Sequence, residues 1–91
     1  MGYSFYQDTM KFTFMLTKDK EQDILIKIGV KIRKLREEKN LTQFNLAYDA
    51  GLSKNQIGRA ERGENKLSVI AIIKIAKALE IDVKELISDI A

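Results

Sequence analysis

The 91-residue chain contains no cysteine, no histidine and no proline. Without cysteine there is no disulfide framework and no thiolate metal site. Without histidine there is no usual general base, no imidazole ligand for a metal and no side chain that changes charge near neutral pH. Serine–histidine and cysteine–histidine catalysis are excluded, and no glycine-rich loop is present to cradle a phosphate. An enzyme is not expected, nor a metal, a cofactor or a small-molecule ligand. No apolar run approaches the ~20 residues that span a bilayer. The amino terminus lacks the basic stretch and apolar core of a secretion signal.

What is present favours helices. Alanine, leucine, isoleucine and lysine are abundant, and the missing proline leaves helix interiors unbroken. Hydrophobic residues make up 45% of the chain, too many for a disordered one. A chain of 91 residues forms one domain with a modest core, so association with a second copy would help it. The formal net charge is +3, unevenly placed. Lys27–Lys66 holds ten basic and five acidic residues, a local excess of +5, while the segments before and after it each carry −1. A basic patch draws polyanions, duplex DNA before an anionic membrane.

Met1–Thr17 alternates in a strand-like way, with Met10, Phe12, Phe14 and Leu16 in register. It is read either as a strand that needs a partner or as a disordered tail. Residues 1–18 are accordingly set apart as an extension, and 19–91 as one domain. A first helix is expected over Asp19–Lys39, with Ile24/Leu25, Ile28, Ile32 and Leu35 in one apolar stripe. Asn40 suits a left-handed stop. Thr42 is expected to cap a second helix to about Asp49, and Ser53, with Gln56 three residues on, to form a capping box for a third helix ending at Gly63. Ser68 caps a fourth helix, Val69–Glu80, with Val69, Ile72, Ile75, Ala76 and Leu79 inward. Asp82, with Glu85 in the capping-box place, starts a fifth. Five short helices around one core make an all-α domain.

The stretch Gln43–Arg62 organises the rest. Ala47 is small where two helices cross, Gly51 tolerates positive φ at the turn, and Leu46, Leu52 and Ile57 fill the space between. Such a helix–turn–helix leaves its second helix free to face a major groove.

Together with Ile32-Arg33-Lys34-Leu35-Arg36, Leu41-Thr42-Gln43, Ala50-Gly51-Leu52-Ser53, Glu61-Arg62-Gly63 and Ile75-Ala76-Lys77-Ala78-Leu79, this stretch resembles the helix-turn-helix family of phage repressors and Cro, the xenobiotic-response-element-type regulators. The likeness runs over about Ile28–Ile87. It implies a five-helix, lambda-repressor-like domain that binds operator DNA as a two-fold dimer and regulates transcription. It also implies a partly buried salt bridge between Arg36 and Glu61, tying the first helix to the third. The chain departs from the family pattern at Leu67, where proline is common, at Ala60, where a larger aliphatic residue is usual, and in its amino-terminal extension.

On the third helix Ile57 and Ala60 face inward, and Lys54, Asn55, Gly58 and Arg59 face out. Lysine and arginine suit guanine O6/N7 and asparagine suits adenine N6/N7, so Lys54, Asn55 and Arg59 are the expected base readers. Gly58 is expected to let the backbone approach the groove. Thr42, Gln43, Ser53, Gln56, Asn65 and Lys66 are candidates for phosphate, Gln56 being drawn also to its cap. Ala47, Gly51 and Ile57, with Arg36 and Glu61, hold the geometry. Ile70 and Ile73 fall off the core stripe, and with Ile87 and Ile90 they form a candidate homodimer interface, the competing reading being that the Met10–Leu16 segment covers them. The expected function is a stand-alone transcriptional regulator, a repressor acting by steric block in the cytoplasm at the nucleoid. Its setting is left open among prophage, mobile element, restriction–modification controller and antitoxin. The competing reading is a protein-interaction module that keeps the fold, such as an antitoxin or polymerase-binding partner.

Overall fold

A computed structural model describes residues 18–64 and 66–88. The extension Met1–Thr17, Asn65 and Asp89–Ala91 lie outside the described residues, so the strand-or-tail reading and the assignments to Asn65 and Ile90 fall outside them too. Among the described residues there are five helices and no strand: α1 Lys18–Glu38, α2 Gln43–Ala50, α3 Lys54–Glu61, α4 Val69–Ala78 and α5 Val83–Ile87.

The helix starts follow the hydroxyl residues. Thr42, Ser53 and Ser68 all have extended backbone, and each side chain accepts the N–H three residues on. These bonds satisfy donors that a helix's first turn leaves without partners. The Thr42 cap is reciprocal, with Asn45 reaching back to the Thr42 N–H, so asparagine serves where glutamate or glutamine is usual. Asp82 does begin α5 with extended backbone, but its carboxylate makes no capping bond. The capping box expected there does not form.

The first four helices end by one device. Asn40, Gly51, Gly63 and Glu80 have φ of 58°, 67°, 69° and 58°. In each case the next N–H returns to a carbonyl five residues back: Leu41 to Arg36, Leu52 to Ala47, Glu64 to Arg59 and Ile81 to Ala76. This is the Schellman closure, which is helped by an apolar residue after the left-handed one. Leu41, Leu52 and Ile81 fill that role and pack against the core.

The core is Ile28, Ile32, Leu46, Ala47, Ile57, Ala60, Ile75, Ala76, Leu79 and Leu86. α1 packs on α3 and α5, α2 packs on α3 and α4, and α4 packs on α5. α1 crosses closely over the end of α3. A Cβ on Gly29 would collide with the carbonyl oxygens of Ala60 and Glu61, so only glycine allows this approach. Small Ala60 lies at the same crossing. Val69 is not a core residue. It is 70% exposed, because the first turn of α4 projects past the packed stripe, and inward packing begins at Ile72.

Candidate nucleic-acid interface

The outer surface of α3 is built from its two ends. At the start, the Ser53 hydroxyl accepts the Gln56 N–H at 3.1 Å while Gln56 Oε1 accepts the Ser53 N–H at 2.7 Å. Both side chains are exposed, yet these oxygens are engaged by the helix itself. Ile57 and Ala60 are sealed in the core beneath. With start and inner face fixed, Lys54, Asn55 and Arg59 extend into solvent along one side.

Gly58 does not lie open between them. It is buried, and a Cβ there would meet Arg62 Nη1 at 3.2 Å and Gln43 Oε1 at 3.6 Å. The expectation that Gly58 lets DNA approach the backbone is therefore corrected, since its space is taken by two polar side chains. Sequence reading passed over one of these, Arg62. Counting turns would have found it, because Arg62 lies seven residues after Asn55 and so almost directly below it on the helix.

Gln43 is half-buried at the start of α2, where its Nε2 donates to Glu61 Oε1 at 3.0 Å. Glu61 is also bound by Arg36 through Nε at 2.6 Å and Nη2 at 3.1 Å, and Arg36 Nη1 donates to the Leu41 carbonyl at 2.7 Å. One buried carboxylate thus ties α1, α2 and α3 together, and no buried side-chain polar atom is left without a partner among the described residues. The hydrogen bond to Glu61, aided by its charge, raises the Arg36 guanidinium further above its ordinary range against the opposing effect of burial. The Thr42 hydroxyl donates to Asn45 Oδ1 at 2.7 Å, so it too serves its own helix.

The charges on this side are arranged to stay positive. Of the nearby carboxylates, Glu61 is buried under Arg36, and Glu64 is held by Arg62. The Arg62 hydrogen bond keeps the Glu64 carboxyl below its usual range, with smaller help from the charges of Arg62 and Arg59. Lys66 is exposed and 3.5 Å from Glu21 of α1. Among the described residues there is no group of carboxylates able to hold a metal, and no helix long and apolar enough to cross a membrane.

A small all-helical core that presents a capped helix with an outward basic and amide face, seated against a preceding helix through a left-handed glycine turn, is a helix-turn-helix domain. The sequence model of the helix-turn-helix family HTH_3 matches residues 32–86. The control protein C.MunI of Mycoplasma sp is 38% identical over 69 residues, covering 75% of this chain and 93% of that protein. The control protein C.BamHI of Bacillus amyloliquefaciens is 36% identical over 66 residues, covering 71% and 82%. The crystal structure of the restriction–modification controller protein C.AhdI from Aeromonas hydrophila superposes with a TM-score of 0.67 at 42% identity, over 68% of this chain and 94% of that one. The chain belongs to the helix-turn-helix family of xenobiotic-response-element-type transcriptional regulators, a family of regulators and not of enzymes.

Proposed function

We propose that the chain is a sequence-specific regulator that binds a two-fold operator as a homodimer and controls the genes of a restriction–modification system. The observation that carries this reading is the exposure of Lys54, Asn55 and Arg59 on a helix whose start is capped and whose opposite side is buried. Lysine and arginine there suit guanine edges and asparagine suits adenine in a major groove. Gln43, Ser53, Gln56 and Lys66 are the side chains offered to the flanking phosphates, through whatever donors their intramolecular bonds leave over. The similarity to control proteins supports the restriction–modification setting, and a dimer seated over a promoter would act by excluding polymerase.

The dimer is assigned to α4 and α5. Ile70 is 62% and Ile87 40% exposed, Ile73 is half-buried, and Val69 adds to the same first turn of α4. Exposed apolar side chains of this kind on a small domain support an interface there. Its two-fold should set the two α3 helices about 34 Å apart, one turn of DNA. Selection from random duplexes at fixed salt tests the reading. A palindromic consensus is expected, and equal binding to every sequence would overturn it.

A further inference from the structure

We propose that Arg62 is a contact to the DNA backbone, and that in the free protein Glu64 occupies its guanidinium in place of a phosphate. This deepens the DNA-binding reading above and rests on it. Arg62 follows Asn55 by seven residues, which puts it about 20° from Asn55 around the α3 axis and about 10 Å further along it. The guanidinium lies over Gly58 at the far end of α3, and Gln43 Oε1 of α2 borders the same space. Lys54, Asn55, Arg59 and Arg62 therefore form one continuous side, with the last at the edge where a groove gives way to the strand backbone.

The pairing of Arg62 has the form of a phosphate contact. Its Nε reaches Glu64 Oε2 at 2.5 Å and its Nη2 reaches Oε1 at 3.4 Å, the two-pronged arrangement by which arginine binds carboxylate and phosphate alike. The pair contributes little to the fold. Its side chains are 58% and 51% exposed, and the residues are only two apart in sequence. Toward DNA it matters more, because an unpaired carboxylate at this edge would repel the backbone. On binding, phosphate replaces carboxylate on Arg62, Glu64 turns into solvent, and no proton moves. Glu64 thereby weakens binding to every sequence, so that a site is held only where base contacts make up the difference.

The test uses the full chain and a mixed-sequence duplex of about 30 base pairs, titrated from about 50 to about 300 mM salt. Four proteins are compared: the unmodified chain, R62Q, E64Q and R62Q/E64Q. R62Q should lower the slope of log K against log salt by about 0.9, the value of one phosphate contact. The double variant has the original net charge and should show the same reduced slope. E64Q should raise affinity about fivefold with Arg62 present and less than about twofold without it. If the glutamine variants at Arg62 fail to fold, R62K replaces them; it keeps the charge, loses the fork, and should halve the E64Q gain. Two results would overturn the assignment: a double variant with the original slope, or an E64Q gain equal in both backgrounds, which is a bulk charge effect. If the unmodified chain shows no salt-dependent binding, the DNA-binding reading itself fails. If it binds and the double variant titrates in parallel with it, only this inference fails.

Discussion

Arg36 Nε meets Glu61 Oε2 at 2.6 Å, with side chains only 12% and 3% exposed. Removing one partner of such a pair strands the other's charge in the interior. Arg36→Met should cost about 3 kcal/mol, read as a lower urea midpoint, because Glu61 keeps only Gln43 and the Leu41 carbonyl loses its donor. Arg36→Met/Glu61→Leu should recover more than half of that loss, since a well-packed apolar pair often replaces a buried ion pair at little cost. A double variant as unstable as the single one would mean that the network contributes something beyond charge compensation.

The glycines give a graded series. At Gly51 a Cβ has nothing within 4 Å, so Gly51→Ala bears only the strain of φ 67°, about 1 kcal/mol. Gly63→Ala adds contact with Ile26 at 2.9 Å to a φ of 69°. Gly29→Ala drives a methyl into the carbonyl oxygens of Ala60 and Glu61 and must push α1 off α3, which should cost the most, about 3 kcal/mol. Denaturant midpoints in any other order would mean that α1 shifts more easily than its packing implies.

Much of this was legible in the sequence, and what escaped has a common cause. The caps at Thr42, Ser53 and Ser68 and the left-handed stops at Asn40 and Gly51 depend on a few adjacent residues, so local chemistry decided them. The inward faces of α1 and α3 followed from spacing alone. Gly58 escaped because its cover comes from Gln43, fifteen residues away, and from Arg62, whose place depends on Glu64. Val69 escaped because a periodic pattern does not tell where the packed stretch of a helix begins. The Asp82 cap failed although its residue type was right, since the side chain must also turn toward its own helix. The side chains proposed to meet DNA were found by residue type and helical position, whereas the network that holds Gln43 became visible only when three helices were brought together.

Glu80 offers a stabilising change. It holds φ 58° without being glycine, at the close of α4, and its carboxylate, 84% exposed, stands 4.0 Å from Lys39. An exposed pair at that distance is worth little, while a left-handed non-glycine residue costs about 1–2 kcal/mol. Part of this gain is offset by the freedom glycine adds to the unfolded chain. Glu80→Gly should therefore raise stability by about 0.5–1 kcal/mol, measurable as a higher melting temperature. A lower one would show that the Lys39 contact outweighs backbone strain.

The Arg62–Glu64 pair sets a pH expectation that can be checked without DNA. The Glu64 carboxyl is held below its ordinary range, first by the Arg62 hydrogen bond. A group whose folded value is lowered contributes stability above its unfolded value, and loses it as pH falls through the folded one. The pair is thus intact at neutral pH and opens only in acid, below the ordinary glutamate range. The Glu64 carboxyl carbon, followed by NMR, should titrate lower than in the unfolded chain, and R62Q should move it back up. An unchanged titration in R62Q would mean that the fork does not persist in solution.

The last expectation separates sequence reading from general attraction. Asn55 is exposed in the first turn of α3, and its amide can pair with two atoms of an adenine edge. Asn55→Ala should relax preference at one base pair per half-site, at a cost of about 1–3 kcal/mol on the preferred duplex and almost none on a mixed one. Lys66 is exposed beside Glu21 and follows α3 rather than lying on it, so as a backbone contact its loss in Lys66→Ala should weaken preferred and mixed duplexes alike. The pair of variants, run on both duplexes at one salt concentration, assigns each side chain by its pattern of loss. Uniform weakening by Asn55→Ala would move that residue from the base edges to the backbone. A second pair, Ile70→Lys and Ile73→Lys, tests the same scheme from the other side of the molecule. If α4 carries the two-fold contact, sedimentation should show half the mass, and the preferred duplex should lose its palindromic advantage while a single half-site keeps its affinity. Unchanged mass would place the dimer contact elsewhere.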